Sequence, residues 1–314
     1  MDLSILIPSR NEMFLKNTVE DIIKNKRGDT EVIVGLDGQW ADPPIQDHKD
    51  VKIFHTSESI GQRAMTNQLA RLSQAKYVLK CDAHCAFDEG FDVKLMADMQ
   101  DDWTCVPTLR NLWVFDWVCP DGHRRYQGPS GACKECGKET TMDIVWIAKT
   151  NPLSTAYCFD PEPHFQYFRE FHKRPEGKGD LTETMSLQGS CFMMIRDKYW
   201  ELGVCDEEFG SWGSQGIEVA CKTWLSGGRV MVNHKTWYAH LFRTQGGDFG
   251  FPYPQKQSKV EEAKKYAKEL FFGNKYDKAI YPLSWLVEKF WPVPNWTQND
   301  LNQLKSNDNN NNKN

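Results

Sequence analysis

The sequence lacks any apolar run near the roughly 20 residues that a membrane-spanning helix needs. Hydrophobic residues make up 40% of its 314 positions. It also lacks an excess of basic residues, because 38 Lys and Arg stand against 43 Asp and Glu, a formal net charge of −5. We therefore expect neither a membrane partner nor a chain that binds nucleic acid through its overall charge.

A secretory signal is also missing from the segment MDLSILIPSRNE, which has no basic region and passes directly into a strand-like run. Ten cysteines would suit an oxidised, secreted protein. Without a signal, reduced thiols and metal ligands are the better interpretation. The expected location is a cytoplasm, either bacterial or that of a virus-infected host cell.

Strand and helix patterns alternate over the first hundred residues. Apolar runs predict strands at 3–9, 31–38, 51–57 and 77–81, and helical spacing of apolar residues predicts helices within 11–28 and 61–75. This alternation favours parallel βαβ units and an α/β fold.

The predicted strand 77–81 ends abruptly in Asp82-Ala83-His84. Side chains two apart on a strand project the same way, so a carboxylate oxygen and an imidazole nitrogen can converge on one cation. This mixed donor set suits Mn²⁺ or a similar divalent metal. The alternative is two polar residues that cap a strand.

Other polar residues fall at the same edge of the predicted sheet. The segment IPSRNE, at 7–12, and Asp37 each follow a strand, where a nucleotide meets a βα turn. Arg63 begins a predicted helix, and its guanidinium would suit a phosphate.

The segment from 113 to 150 breaks the βαβ pattern and contains three cysteines and a histidine at metal-ligand spacing. These are Cys119, His123, Cys133 and Cys136. The spacing predicts a closed, structural Zn²⁺ site, with Cys105 or Cys158 as substitute ligands. A disulfide or unbound thiols are the alternative.

Several short motifs resemble the polypeptide N-acetylgalactosaminyltransferases, which are GT-A glycosyltransferases. DAHC at 82–85 matches that family's Asp-x-His motif, and GSCFMMIRDKYWELG at 189–203 is similar to its later glycine-containing segment. WGSQGIE at 212–218 resembles its Trp-Gly-Gly-Glu motif, with KTWLSGG (222–228) after it, and HLFR at 240–243 resembles its final His-x-Phe-Arg. The resemblance implies a GT-A mixed sheet flanked by helices, here with a zinc-knuckle insertion.

The resemblance also implies site residues. Asp82, His84 and His240 become the ligands of Mn²⁺, with His234 as a competing candidate for the third position. The implied nucleotide-sugar contacts are Pro8, Ser9, Arg10, Glu12, Asp37, Arg63, Asp82, Gly189, Ser190 and Trp212. Catalytic roles are expected for Gln215, Glu218 and Arg243, the last as a diphosphate contact.

One position departs from the family, which has glutamate where this chain has Gln215. The resemblance implies a retaining transfer of a hexosyl or N-acetylhexosaminyl group, which needs no protein base. Inversion would need a carboxylate as general base, for which Glu218 and the run Asp206, Glu207 and Glu208 are the candidates.

These inferences divide the chain into five segments. They are a nucleotide-sugar-binding half at 1–110, the zinc insert at 111–150, an acceptor and catalytic half at 151–255, a helical extension at 256–300 and a disordered tail at 301–314.

The expected function is metal-dependent transfer from a UDP-sugar to a hydroxyl, with a hydroxylated base of modified DNA as the preferred acceptor. A cytoplasmic protein or a glycan precursor is the alternative acceptor. A non-catalytic nucleic-acid-binding module on the same fold is the alternative of another class.

Overall fold

The computed structural model describes residues 1–242 and 257–311, with side chains from 259 to 308 in the second range. The strands are Leu3–Ser9 (β1), Thr30–Asp37 (β2), Val51–Thr56 (β3), Tyr77–Cys81 (β4), Cys85–Phe87 (β5), Trp103–Val118 (β6), Arg124–Tyr126 (β7), Thr141–Ser154 (β8), Tyr157–Phe159 (β9), Phe165–Tyr167 (β10), Leu181–Glu183 (β11), Cys191–Ile195 (β12) and Arg229–His240 (β13). The helices are Leu15–Asn25 (α1), Gln62–Leu72 (α2), Phe91–Ala97 (α3), Arg196–Glu201 (α4), Gln215–Leu225 (α5), Gln257–Ala267 (α6), Leu283–Lys289 (α7) and Gln298–Asn311 (α8).

One mixed sheet forms the centre of the molecule, in the order β11-β13-β6-β12-β4-β1-β2-β3. The pairs β1–β2, β1–β4 and β2–β3 are parallel, as the βαβ pattern predicts. Strand β12 runs antiparallel to both β4 and β6 and makes the sheet mixed. The second half of the chain thus completes a sheet that the first half begins.

The carboxyl ends of β1 and β4 lie side by side because these two strands are hydrogen-bonded neighbours. Every residue of β1, β2 and β4 is buried, which fixes the strands rigidly in the core. Strand order reverses at this point, since the chain goes from β1 to β2 and β3 on one side and to β4 on the other. Such a switch point is where open α/β sheets bind ligands.

A long two-stranded arm extends from the sheet, built from β6 and its antiparallel partner β8. Strand β6 crosses residue 110, so the predicted insert begins inside a strand rather than in a linker. The base of the arm is held by a separate apolar cluster that includes Phe14, Leu112 and Phe115. The arm is therefore anchored to the region that follows β1.

The C-terminal segment differs from the disorder predicted for 301–314. It forms helix α8, which continues to Asn311. Leu301 and Leu304 are 3% and 4% exposed and belong to the main core, so burial of two leucines outweighs the polar composition. Residues 312–314 lie outside the described part of the chain. Among the described residues, none of the helices combines the length and the apolar character that crossing a membrane requires.

Candidate metal and nucleotide-sugar site

A cleft of about 580 Å³ opens at the carboxyl ends of β1 and β4. Its lining includes residues predicted from the sequence: Pro8, Arg10, Glu12, Asp82, His84, Gly189, Ser190, Trp212, Gln215 and His240. It also includes residues that sequence reasoning missed: Gln62, Lys80, Pro163, His164, Phe165, Leu187, Phe242 and Lys264. A cleft of this size can accommodate a small-molecule ligand.

Asp82, His84 and His240 meet at the floor of this cleft. The Nε2 atoms of the two imidazoles are 3.1 Å apart, and Asp82 Oδ2 is 3.2 Å from His240 Nε2 and 3.9 Å from His84 Nε2. The three ligand atoms lie within 4.8 Å of one another, although His240 is 156 residues from His84. Strand β13 brings His240 here because it pairs with β5, directly after His84.

The ionisation of the cluster favours cation binding. Burial alone would raise the pKa of the Asp82 carboxyl, but the Lys80 charge and the His240 hydrogen bond outweigh it and hold that pKa well below its usual range. Burial lowers the pKa of His240 to about 4, although its hydrogen bond to Asp82 opposes that shift. At neutral pH the site therefore presents a carboxylate and a neutral imidazole.

Glu12 orients His84. Its Oε2 lies 3.3 Å from His84 Nδ1, and both side chains are buried. A carboxylate at Nδ1 favours the tautomer with the proton on that atom, which leaves the Nε2 lone pair facing Asp82 and His240. Converging lone pairs from two imidazoles and a carboxylate fit a divalent cation such as Mn²⁺. Among the residues that the structure describes, none pairs with the buried Nδ1 of His240, and the contacts of this ring are made by its Nε2.

The sugar side of the cleft is the loop before β12 and the first turn of α5. Lys80 donates to the carbonyl of Gly189 at 2.8 Å, and a Cβ on Gly189 would lie 3.2 Å from Gln215 Cβ. A Cβ on Gly216 would lie only 1.9 Å from the carbonyl oxygen of Leu187, so only glycine permits this close approach. The two segments are thus packed tightly, with Gln215 between them.

Arg63, predicted as a nucleotide-sugar contact, and Glu218, predicted as a catalytic residue, are both corrected to structural residues. Arg63 is 1% exposed; its Nε donates to Glu218 at 3.0 Å, and its other nitrogens donate to the carbonyls of Gly210 and Gly213. Glu218 is fully buried and also accepts from the Asp206 amide and from Lys222. Neither side chain lines the cleft.

Three other predicted residues also do not line the cleft. Asp37 is fully buried and accepts hydrogen bonds from the amides of Ile60 and Gly61, so its carboxylate holds the turn before α2. Ser9, the last residue of β1, is 3% exposed. His234 contacts Thr108 and Thr182 at 3.1 and 2.7 Å, away from the metal triad, which leaves His240 as the third member.

Arg243, the predicted diphosphate contact, lies outside the described residues. The alternative bases Asp206, Glu207 and Glu208 do not line the cleft either. Asp206 caps the Glu208 amide at 3.0 Å, and Glu207 accepts from Asn67 at 2.9 Å.

The Cys and His residues of the arm form a second cluster. Cys119 Sγ and Cys133 Sγ lie 3.5 and 3.6 Å from His123 Nδ1, and Cys136 Sγ lies 3.6 Å from Cys119 Sγ. A tetrahedron with Zn–S bonds of about 2.3 Å has edges of about 3.8 Å, close to these separations. Cys105 and Cys158, the substitute ligands, are buried elsewhere in β6 and β9.

Backbone amides near this cluster favour the thiolate form of Cys133. The amides of Cys136 and Glu135 point at Cys133 and lower the pKa of its thiol to about 6. Tight turns join the ligands, since Gly122 donates to the Cys119 carbonyl and Gly137 to that of Cys133. The donor set and spacing fit a structural zinc ion.

Comparison with known proteins agrees with the fold and the motifs. The family model described as glycosyl transferase family 2 matches residues 4–116, a range that includes Glu12 and Asp82, which follow β1 and β4. A putative polypeptide N-acetylgalactosaminyltransferase 13 of Drosophila melanogaster is 25% identical over 307 residues, 91% of this chain and 48% of that protein. A probable N-acetylgalactosaminyltransferase 8 of Caenorhabditis elegans is 34% identical over 174 residues, 55% of this chain and 35% of that protein.

A solved structure shares the fold. The crystal structure of GalNAc-T7 with UDP, GalNAc and Mn²⁺ aligns with a TM-score of 0.61 and 16% identity, over 98% of this chain and 55% of that chain. The chain thus spans about half the length, or less, of the relatives it matches. The resemblance and the α/β fold class predicted from the sequence are confirmed. The chain therefore has a GT-A fold, its N-terminal part matches the glycosyl transferase family 2 model, and it resembles the polypeptide N-acetylgalactosaminyltransferases.

Proposed function

We propose that this protein is a metal-dependent glycosyltransferase that moves a sugar from a UDP-sugar to an acceptor hydroxyl. The observation that carries the proposal is the convergence of Asp82, His84 and His240 at the floor of a 580 Å³ cleft. The GalNAc-T7 structure, which has the same fold, holds UDP, GalNAc and Mn²⁺, and this supports the choice of donor and metal.

The residues of the cleft have separate proposed roles. Asp82, His84 and His240 would hold the divalent cation, which when bound neutralises charge on the departing nucleoside diphosphate. Glu12 fixes the His84 ring, and Arg10 and Lys80 add positive charge to the cleft lining. The loop with Gly189 and Ser190 and the side chains of Trp212 and Gln215 would enclose the sugar.

Retention of configuration is the proposed outcome. Among the described residues, the carboxylates that line the cleft are Glu12 and Asp82, and both are committed to the metal cluster. Glu218, the candidate general base for inversion, is sealed in the buried pair with Arg63. This arrangement agrees with a mechanism that uses no protein base.

The acceptor stays the prediction made from the sequence, a hydroxylated base of modified DNA. An aromatic and basic cluster on the arm supports it, because Lys149 Nζ lies 4.3 and 4.8 Å from the ring centroids of Trp113 and Tyr126. Against it, Arg124 is paired with Asp116 and Asp143, which reduces the positive charge that the arm offers to phosphates.

The experiment is a donor and acceptor screen by mass spectrometry. UDP-sugars and Mn²⁺ are offered with hydroxymethylated DNA, peptides and glycan precursors, and Asp82→Asn serves as the inactive variant. Asp98→Asn is the matched control, since Asp98 forms an ion pair with Lys235 and does not line the cleft. We expect a mass shift of one sugar on one acceptor class that needs Mn²⁺ and Asp82. If no combination of donor and acceptor gives either donor hydrolysis or sugar transfer, that result contradicts the proposed function.

A further inference from the structure

Lys80 lies on the central strand β4 and is 1% exposed, yet it is one of the residues that line the cleft. Burial of an ammonium group is costly unless hydrogen bonds and an opposite charge compensate it. Its Nζ contacts Asp82 Oδ1 and donates to the Gly189 carbonyl at 2.8 Å. A buried lysine in the middle of a sheet is thus attached both to a metal-ligand residue and to the sugar loop.

Asp82 uses its two oxygens differently. Oδ1 contacts Lys80, while Oδ2 faces the imidazoles of His84 and His240. Lys80 therefore does not take the place of a metal ligand. It fixes the carboxylate plane from the opposite side and leaves Oδ2 directed into the cluster.

The positive charge of Lys80 makes the net charge of the cleft less negative for an approaching diphosphate. Without it, Asp82 and Glu12 would present two carboxylates to the doubly negative diphosphate of a UDP-sugar before any cation binds. With it, the Asp82 pair is neutral, and Arg10 and Lys264 also line the cleft. An ammonium group has three N–H donors, and the contacts to Asp82 and Gly189 account for two of them.

We propose that Lys80 is a fixed cation of the diphosphate site, which allows the nucleotide diphosphate to bind before, and without, the divalent metal. The proposal rests on the proposed function, since it assumes that the cleft binds a nucleoside diphosphate. Lys80 supplies a buried positive charge at the floor of the cleft whether or not the metal is bound, and the metal would add the charge that the reaction needs. The ligand that this site would bind is the pyrophosphate group of a nucleoside diphosphate.

The test compares UDP with uridine by titration calorimetry, in excess EDTA and again with Mn²⁺. The affinity ratio of UDP to uridine isolates the phosphate contribution, because both ligands carry the same base and ribose. In EDTA we expect wild-type protein to bind UDP at least tenfold more tightly than uridine, in the range of one charge-assisted contact. We expect Lys80→Met to lower that ratio by about fivefold or more, with Arg10 and Lys264 left to supply the remainder, and Lys80→Arg to restore part of it.

Lys222→Met is the matched control. Lys222 is also 2% exposed and ion-paired, with Asp206 and Glu218, but it does not line the cleft. It should reduce thermal stability while leaving the UDP to uridine ratio unchanged.

Two results would overturn the role of Lys80. The first is wild-type protein that binds UDP no better than uridine in EDTA, a measurement that needs no variant to fold. The second is a folded Lys80→Met protein that keeps the wild-type ratio. If UDP binds no better than uridine even with Mn²⁺, the proposed function itself fails and the Lys80 proposal fails with it.

Discussion

Glu12 shows how one residue next to a proposed metal ligand can control the orientation of that ligand. It is 72 residues from His84 in sequence, and its carboxylate meets the Nδ1 of that ring inside the protein. The motif resemblance implied a nucleotide contact for Glu12, whereas the structure gives it the position that orients a ligand. The hydrogen bond that one ring nitrogen of an imidazole makes determines which of the two nitrogens carries the proton.

We predict that Glu12→Gln lowers the affinity for Mn²⁺ by about 10- to 100-fold, because a neutral amide no longer fixes the His84 tautomer. The bound fraction is measured by electron paramagnetic resonance of free Mn²⁺. Glu89→Gln is the control, since Glu89 is 71% exposed and pairs with Arg27 at the surface. Unchanged Mn²⁺ affinity in Glu12→Gln would show that the ring is oriented by other contacts.

We also predict that Glu218→Ala destabilises the fold by about 3–5 kcal/mol, since it leaves the Arg63 guanidinium buried without its carboxylate. The free energy of unfolding is measured in denaturant. Glu201→Ala, which removes an exposed pair with Lys198, should cost no more than about 1 kcal/mol. Loss of sugar transfer in Glu218→Ala at wild-type stability would instead reinstate the catalytic role inferred from the sequence.

At the scale of elements, the arm formed by β6 and β8 depends on its tip. The short strand β7 pairs with β6 over Asp116–Val118, and the four-ligand cluster follows directly. Of the 14 residues of β8 only Ser154 is buried, so the arm buries its side chains less fully than the strands of the central sheet do. A zinc ion at the tip would supply the stabilisation that packing does not.

We predict one tightly bound zinc per chain, lost in Cys133→Ser, because three ligands hold the ion less tightly than four. Metal content is measured by mass spectrometry after gel filtration, and amide exchange then locates the effect. Protection should fall in β7 and the outer parts of β6 and β8, and stay high in β1 and β4. Lys134→Ala, an exposed neighbour between the two cysteines, is the control. Wild-type protein purified without zinc would contradict this prediction.

At the scale of the whole molecule, charge limits how the protein can meet nucleic acid. The net charge is −5, and several cations of the arm are paired, as Lys138 is with Asp121. A modified-DNA acceptor would therefore be recognised mainly at the reacting base rather than along the phosphate backbone.

We predict weak binding to unmodified duplex DNA, with a salt dependence that corresponds to fewer than about three phosphate contacts. Fluorescence anisotropy across a range of NaCl concentrations gives this slope. Asp82→Ala should not change this slope, since Asp82 lies in the proposed donor site and not on the arm. Tight, steeply salt-dependent binding without any sugar transfer would favour the non-catalytic nucleic-acid module.

The strands of the first hundred residues and the Asp-x-His pair could be predicted from sequence because they depend on local patterns. Apolar runs identify β1, β2 and β4, and the Asp-x-His motif follows β4 as predicted. The predicted geometry was different, because Asp82 and His84 lie in the turn between β4 and β5 rather than on one face of a strand. The Cys and His spacing of the arm is likewise local, and those residues do cluster.

Tertiary structure alone decided which polar residues share the cleft. The sequence predicted a nucleotide-sugar contact for Arg63 and a catalytic role for Glu218, yet the two side chains form a buried ion pair although they are 155 residues apart in the chain. The sequence predicted only that Lys80 belongs to an apolar strand. No local sequence pattern indicates that its ammonium group contacts Asp82 and the carbonyl of Gly189. Contacts between distant elements depend on how the strands order in the sheet, and a local sequence pattern does not contain that order.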